Sequence, residues 1–186
     1  WIQPAAGDAG GALGAALAFW HKELKQLRSK PVIDEMQGSY LGPKFSNDEI
    51  EKSLKSLGAT FQILNDENIV KITAEELSKE KTIGWFQGRM EFGPRALGGR
   101  SIIADPRSEK MQKILNLKVK YRESFRPFAP SIIREKLTDW FELDCDSPYM
   151  LLVANINKNI KREMTESEKN LFGIEKLNIK RSDIPA

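Results

Sequence analysis

Cysteine and histidine are nearly absent from this sequence of 186 residues, which contains one of each, Cys145 and His21. A single cysteine cannot form an internal disulfide, and the two residues cannot supply the ligands of a zinc site. No apolar run approaches the ~20 residues that a membrane-spanning helix needs. Trp1 to Pro4 lacks the basic and apolar regions of a secretory signal. We therefore expect a cytoplasmic protein with no disulfide scaffold and no membrane partner.

The size and the ends of the chain suggest a piece of a longer protein. Its 186 residues, 40% hydrophobic and 30% charged, suit one domain or one domain plus a fragment of a neighbour. That length can bury a core without disulfides. The sequence opens without a starting methionine and closes at Arg181–Ala186 without a charged tail or a helix stop. We therefore expect an excised part of a larger chain.

Positive charge is concentrated in the middle of the sequence. The whole chain carries +3, whereas residues 85–134 hold eleven Arg and Lys against four acids, which is +7 and leaves −4 for the remainder. A local positive field attracts anions such as phosphate groups, nucleotides or nucleic acid. The alternative is a solvated basic face.

Helices and strands are both predicted, which indicates an α/β or α+β fold. Apolar positions at helical spacing predict a helix over residues 9–28, with Asp8 as its N-cap or first-turn acid. Ser46 and Glu49 form a capping-box pattern for a second helix that ends at Gly58. Further helices are predicted at 68–81, 108–117 and 134–141, and strands at 59–64, 82–86, 101–104, 131–133 and 149–153. Residues 157–180 follow no clear pattern.

Chemistry-bearing residues are densest in the segment Gln87–Ser101, which is rich in glycine and arginine. Glycines allow a backbone to approach a ligand closely, and an arginine fork matches two oxygens of a phosphate or carboxylate. The segment therefore predicts an oxyanion cradle between two strands. A glycine-rich turn with solvent-facing arginines is the alternative.

Two further segments suit anionic ligands. In Lys118–Pro130, basic and aromatic residues alternate, which suits single-stranded nucleic acid or the wall of a nucleotide pocket; its aromatics could equally belong to the core. In Gly7–Ala16, small residues open a helix whose N-terminus could hold a phosphate, and Asp8 could bind a metal. Close helix packing with Asp8 as a cap is the alternative there.

Together these segments resemble the nodulation- and antibiotic-type O-carbamoyltransferases. The resemblance is carried by QPAAGDAGGALGAA at Gln3–Ala16, GPRALGGRS at Gly93–Ser101, ADPR at Ala104–Arg107, KYRESFRPFAP at Lys120–Pro130 and RSDIPA at Arg181–Ala186. The blocks also follow the order of the family, and their joint occurrence is far more specific than any single block. Residues 29–80 and 157–178 contribute little to it.

The resemblance implies an architecture and a reaction. Residues 1–28 are expected to be the C-terminal end of an actin-like, carbamoyl-transferring domain, including its terminal helix. Residues 29–186 are expected to be a YrdC-like domain, a twisted mixed sheet with flanking helices, cut before its last block. In the family the YrdC-like domain joins carbamoyl phosphate to ATP, giving carbamoyl adenylate and pyrophosphate. The actin-like domain then transfers the carbamoyl group to an acceptor hydroxyl with the help of a divalent metal, iron or similar.

The resemblance also implies roles for individual residues. Arg95, Lys120 and Arg126 fall on positions that hold phosphates and the carbamoyl group and are expected to be catalytic, and Asp8 falls on a metal-ligand position whose partner ligands lie upstream. The predicted set for substrate and nucleotide is Gly7, Gly10, Gly11, Arg95, Gly98, Arg100, Ser101, Lys120, Arg126 and Arg181. Fixed cations of this kind screen the repulsion between two polyanionic substrates. His21 is expected to be structural or surface.

The expected ligands and partners follow from that reaction. They are ATP with Mg²⁺, carbamoyl phosphate, an acceptor hydroxyl of unspecified identity, and the N-terminal domain of the same protein, without which carbamoyl transfer is not expected to be completed. Nucleic acid and membranes are not expected partners. Three alternatives stay open: an RNA-binding module, threonylcarbamoyl-type chemistry of tRNA-modifying enzymes, and a non-catalytic remnant.

Overall fold

The computed structural model describes residues 2–30, 33–177 and 179–182, in which seven α-helices and one two-stranded antiparallel sheet are found. The helices are α1 Asp8–Ala18, α2 Asn47–Ser56, α3 Asp66–Ser78, α4 Met111–Ile114, α5 Leu137–Trp140, α6 Glu166–Lys169 and α7 Ile174–Leu177; the strands are β1 Ile83–Phe86 and β2 Arg100–Ile103. The predicted mixed α/β class is confirmed. The YrdC-like arrangement stays a prediction.

The chain divides into two compact units that interleave along the sequence. The first comprises the residues up to Asp66, Gly84–Ile102 and Ser147–Leu152, and the second comprises Glu67–Ile83, Ile103–Asp146 and the residues from Val153 onward. The first unit therefore holds α1, α2 and most of the sheet. The second holds most of α3 and all of α4 to α7.

Local sequence signals set the bounds of the first two helices. α1 begins at Asp8, one residue before the predicted start; Asp8 is a first-turn acid, one of its two predicted roles, and the N-cap is Gly7. After Ala18 the chain makes one wider π-helical turn, Phe19–Glu23. The helical path ends at Leu24, short of the predicted residue 28, and Lys25 already has a positive φ of 52°. The capping box of α2 is confirmed, since the Ser46 and Glu49 side chains each accept the other residue's backbone N–H.

Three predicted strands and one predicted cap are wrong. Residues 59–64, 131–133 and 149–153 are not strands in the structure. A strand exists only through hydrogen bonds to a neighbour, and the positive φ of Met150, 54°, further bends the last of these segments. Ser108 does not cap a helix: α4 begins at Met111, and the Ser108 hydroxyl donates instead to Glu80 Oε1 over 2.6 Å.

Buried polar side chains are as prominent as buried apolar ones. Met111, Leu115 and Leu137, all in the second unit, are among the buried apolar side chains. Glu91 in the first unit and Asn116 in the second are also buried, and no buried side-chain nitrogen or oxygen among the described residues lacks a hydrogen-bond partner. None of the described helices has the length and apolar composition that crossing a bilayer requires.

Candidate functional site

The first unit contains a cavity of about 200 Å³ that brings together two of the sequence blocks. One wall is the loop before α1, and another is the glycine-rich loop between β1 and β2. Its lining residues are Ala5, Ala6, Gly7, Ser39, Phe92, Pro94, Arg95, Leu97, Tyr149, Met150 and Leu151. Most of these residues are apolar, and Arg95 is the one cationic residue among the described residues of the lining.

Arg95 is exposed and makes no side-chain hydrogen bond or ion pair with any described residue. The other arginines of the loop are engaged. Arg89 donates to the Gly42 carbonyl over 3.0 Å. Arg95 is therefore the arginine of this loop that is free to bind an anion.

Arg100 acts on its own loop in this structure. Its guanidinium donates to the carbonyls of Gln87, Gly88 and Gly99 and lies 3.4 Å from the centroid of the Phe86 ring. These contacts tie the two ends of the loop together beside the sheet. The predicted substrate contact of Arg100 stays a prediction, and it would compete with this set of contacts.

The backbone cradle predicted in the glycine-rich loop exists, but the chain itself fills it. Glu91 Oε1 accepts the backbone N–H groups of Leu97, Gly99 and Arg100 over 2.7, 2.6 and 3.3 Å. Burial raises the pKa of the Glu91 carboxyl. The hydrogen bonds from these three N–H groups and from the backbone N–H of Glu91 itself lower that pKa by more than burial raises it, so the net shift is downward. These three donors already have an acceptor within the chain, and the predicted binding of an external oxyanion by this loop stays a prediction.

Glycines in the same loop permit this close packing. A Cβ at Gly99 would lie 2.7 Å from the Arg89 carbonyl oxygen and 3.1 Å from the Glu91 carboxyl group. Gly98 has a positive φ of 110°, and its N–H donates to Ser101 Oγ over 3.0 Å. The predicted binding residues Gly98 and Ser101 thus contact each other and shape the turn.

Tyr149 is a further residue of the cavity lining. Its hydroxyl donates to Asp34 Oδ2 and accepts the Gly38 N–H over 3.3 Å. Burial, followed by the hydrogen bond to Asp34, raises the pKa of the Tyr149 hydroxyl. This side chain remains protonated at neutral pH, so it offers the cavity a neutral aromatic wall.

The glycines before and within α1 use their N–H groups inside the chain. Gly7 and Gly10 donate to the Ala5 carbonyl over 2.7 and 2.9 Å, and Gly11 donates to Gly7 over 2.8 Å. Of these, Gly7 lines the cavity. Their predicted phosphate contacts, and that of Arg181, whose guanidinium donates to the Lys176 carbonyl, stay predictions.

Asp8 has no further metal ligands beside it among the described residues. In that part of the chain no group of three or more His, Cys, Asp and Glu side chains is positioned to hold an ion. It is exposed at the start of α1. The described residues therefore do not form a complete metal site. The predicted role of Asp8 would require ligands from elsewhere in the protein.

The second unit carries the other two predicted catalytic cations. The Lys120 side chain is exposed and makes no hydrogen bond or ion pair with the described residues. Arg126 is paired with Glu123 over 2.8 Å and is half exposed. The hydrogen bond from Arg126 lowers the pKa of Glu123, so an anionic ligand of Arg126 would compete with a carboxylate.

Asn116 holds the segment that contains these cations. Its side chain is fully buried and donates to the carbonyls of Ser124 and Arg126 over 3.1 and 2.8 Å. Its Oδ1 accepts Arg122 Nε over 2.6 Å, and the Arg122 guanidinium lies 4.8 Å from the centroid of the Phe128 ring. Neither Asn116 nor Glu91 was singled out in the sequence, because each depends on partners that the fold brings to it.

The predicted site residues therefore fall into two groups. Arg95, Arg100, Ser101 and the glycines belong to the first unit, and Lys120, Arg126 and Arg181 belong to the second. Within the first unit the structure brings Arg95 and Gly7 to one cavity. Convergence of Lys120 and Arg126 on the same substrates stays a prediction.

Comparison with known proteins agrees with the resemblance seen in the sequence. An uncharacterized protein of Synechocystis sp. is 57% identical over 188 residues, covering 100% of this chain and 31% of that protein. The nodulation protein NolNO of Sinorhizobium fredii is 41% identical over 178 residues, covering 93% of this chain and 24% of that protein. Nodulation protein U of Rhizobium tropici is 34% identical over 151 residues, covering 81% of this chain and 24% of that protein.

The chain spans about a quarter to a third of the length of these curated relatives. Residues 74–169 match the family model described as carbamoyltransferase C-terminus. That range contains the blocks around Arg95, Lys120 and Arg126 and more than half of the chain, and so this chain belongs to the carbamoyltransferase C-terminus family.

Proposed function

We propose that the intact protein is an O-carbamoyltransferase, and that this chain forms carbamoyl adenylate from carbamoyl phosphate and ATP. The observation that carries the proposal is Arg95, an arginine with no partner among the described residues, on a cavity of about 200 Å³. An unengaged guanidinium fork suits the oxygens of a phosphate or carbamoyl group. Membership of the carbamoyltransferase C-terminus family supports the same class of reaction.

The proposed reaction has two steps, in which every atom is accounted for. Water first takes the phosphoryl group from carbamoyl phosphate, giving inorganic phosphate and carbamate. A carbamate oxygen then attacks the α-phosphorus of ATP, a P–O bond forms, and pyrophosphate leaves. The products are one carbamoyl adenylate, one phosphate and one pyrophosphate for each carbamoyl phosphate and ATP consumed.

Cations are the protein's contribution to both steps. Phosphoryl-transfer catalysis depends chiefly on positioning and on stabilising negative charge. In the proposal Arg95 binds two oxygens of one anion, Lys120 adds a point charge, and Arg126 exchanges Glu123 for a substrate oxygen. The ATP enters with Mg²⁺ as part of the substrate. The positive charge of residues 85–134 supports attraction of both anions.

We assign transfer to the acceptor hydroxyl to the remainder of the protein. Curated relatives are three to four times longer than the part that this chain matches, which supports a partner domain in the same polypeptide. Exposed apolar side chains on and after α1, among them Leu17, Phe19 and Trp20, support burial against that remainder. No step of the proposed reaction runs through a metal held by this chain alone.

Isotope exchange in the full-length protein tests the proposal. We expect carbamoyl-phosphate-dependent exchange of labelled pyrophosphate into ATP, and release of inorganic phosphate. Arg95→Ala and Lys120→Ala should each lower the exchange by ~100-fold or more, because each removes a charge that the transition state needs.

Two exposed cations serve as matched controls. Arg28→Ala and Lys52→Ala remove the same charges from side chains that make no hydrogen bond with the described residues, and both should exchange like the wild type. Wild-type exchange that persists in both Arg95→Ala and Lys120→Ala would contradict the assigned roles. Absence of exchange in the wild type would contradict the function itself.

A further inference from the structure

The segment that carries Arg95 has hydrogen bonds at its two ends and, among the described residues, none between them. The Phe92 N–H donates to the Ser39 carbonyl over 2.6 Å, and the Leu97 N–H donates to Glu91 over 2.7 Å. Residues 93–96 make no backbone hydrogen bond with the described residues. The direction of the Arg95 side chain therefore depends on the two anchors.

Glu91 supplies most of the hydrogen bonds at the second of these two ends. One oxygen, Oε1, accepts three N–H groups from residues six to nine positions later, which closes the loop on itself around Arg95. Glu91 is buried, with only 7% of its surface exposed. It forms no ion pair with any described residue, so backbone donors alone stabilise its charge.

We propose that Glu91 is a positioning residue, whose buried carboxylate fixes the Gly93–Leu97 segment and thereby directs Arg95 toward the cavity lined by Gly7 and Tyr149. The inference rests on the proposed function, because Arg95 is the group through which Glu91 acts. A carboxylate placed here would repel an anionic substrate if it faced the ligand. Because three backbone N–H groups bind the Glu91 carboxylate, it stabilises the loop, and the Arg95 guanidinium is the charged group directed toward the cavity.

Two substitutions at Glu91 separate its hydrogen bonds from its charge. All three donors share Oε1, so in Glu91→Gln the amide oxygen can accept the same N–H groups without a charge. In Glu91→Ala the three donors lose their acceptor. In the full-length protein we expect Glu91→Ala to lower kcat/KM for carbamoyl phosphate by ~10- to 100-fold, the cost of misplacing a binding group, and Glu91→Gln to stay close to wild type.

Action through Arg95 is measured by a double-mutant cycle. Arg95→Lys keeps the positive charge but loses the planar guanidinium fork. The binding that remains in this variant comes from a point charge and depends less on the orientation of the side chain. We expect Glu91→Ala to cost much less in the Arg95→Lys background than in the wild type, because two residues that act as a unit are not additive. A general structural defect would lower kcat/KM by the same factor in both backgrounds.

Gly99→Ala supplies an independent disturbance of the same contact. Its Cβ would lie 3.1 Å from the Glu91 carboxyl group and 2.7 Å from the Arg89 carbonyl oxygen, so it should displace the carboxylate together with the adjoining backbone while Glu91 and Arg95 both remain. We expect a loss similar to that of Glu91→Ala, and no loss for Glu35→Ala, which removes an exposed carboxylate in the same unit. Thermal unfolding of each variant verifies that it is folded.

The outcomes distinguish the two proposals. Wild-type exchange together with equal activity of folded Glu91→Ala overturns the role of Glu91 and leaves the proposed function intact. Equal losses in Glu91→Gln and Glu91→Ala overturn the acceptor role, and additive losses in the cycle overturn action through Arg95. A wild-type protein without exchange overturns the proposed function, and the inference with it.

Discussion

Single buried polar residues determine the shape of both candidate binding segments. Glu91 organises the loop of the first unit through three N–H groups, and Asn116 organises the segment of the second through two carbonyls and Arg122. A buried polar group is stable only when its hydrogen bonds are made. Such a residue therefore specifies one loop conformation more sharply than an apolar contact does.

Asn116→Ala tests this at the residue scale. The substitution leaves the Ser124 carbonyl without its side-chain donor and removes the acceptor of Arg122, so we expect the free energy of unfolding to fall by about 1–3 kcal/mol. Urea unfolding of the full-length protein measures it. Asn155→Ala, at an exposed position whose side chain makes no hydrogen bond with the described residues, is the matched control. Equal stability of the two variants would contradict the role of Asn116.

Helix ends in this chain follow local rules where the partners are close in sequence. The capping box of α2 has both partners within three residues. At the C-terminal end of α3 an ion-pair cluster forms, in which Lys81 and Lys79 both donate to the Glu76 carboxylate. Contacts between residues so close in sequence need little help from the rest of the fold.

The Glu76 cluster makes a prediction for pH. Hydrogen bonds from Lys81 first, and then from Lys79, lower the pKa of Glu76 to about 2. Because the folded pKa is below the unfolded one, the stabilising contribution is complete above the ordinary value of 4.5 and is lost as the pH falls through about 2. Titration of the Glu76 carboxyl by NMR should therefore show a midpoint near the lower value.

Lys81→Met identifies the cause. It should raise the midpoint of Glu76 toward the ordinary carboxyl range, while Lys71→Met, an exposed lysine on the same helix, should leave it unchanged. A Glu76 midpoint that is the same in wild type and Lys81→Met would show that the ion pair does not control the titration.

At the scale of the whole molecule, positive charge is abundant, and most of the arginines that carry it in residues 85–134 bind other groups of the chain. Residues 85–134 carry +7, yet several of their guanidinium groups serve other parts of the chain. Arg107 forms a bidentate pair with Asp105, Arg100 binds carbonyls, and Arg122 binds Asn116. A guanidinium that is bound within the chain has fewer donors left for phosphates, so the engaged arginines favour a local anion site over an extended polyanion surface.

Binding of a short RNA duplex to the full-length protein tests that reading. We expect a Kd no tighter than ~1 µM at physiological salt, the range of non-specific electrostatic binding. Lys120→Ala should abolish pyrophosphate exchange while leaving this weak RNA binding nearly unchanged. Submicromolar binding with a steep salt dependence would instead support the RNA-binding alternative.

The sequence by itself determined the family, the mixed α/β class, the start of α1 and both ends of α2. These features depend on residues that are adjacent in the chain or on blocks whose order is characteristic of the family. It also singled out Gly7, in the loop before α1, and Arg95, in the glycine-rich loop; the structure places both on one cavity, and their roles toward a substrate stay predictions. Helix periodicity, caps and motifs are local properties, and so they can be read without the fold.

Only the tertiary structure decided which of those groups are free. The N–H cradle is filled by Glu91, and Arg89 and Arg100 bind carbonyls, whereas Arg95 faces a cavity. Residues 59–64, 131–133 and 149–153 carry apolar side chains suited to strands but have no strand partner. The physical reason is the same in each case: hydrogen bonding and burial depend on what the rest of the chain brings within about 3 Å of a group, which composition and spacing do not specify.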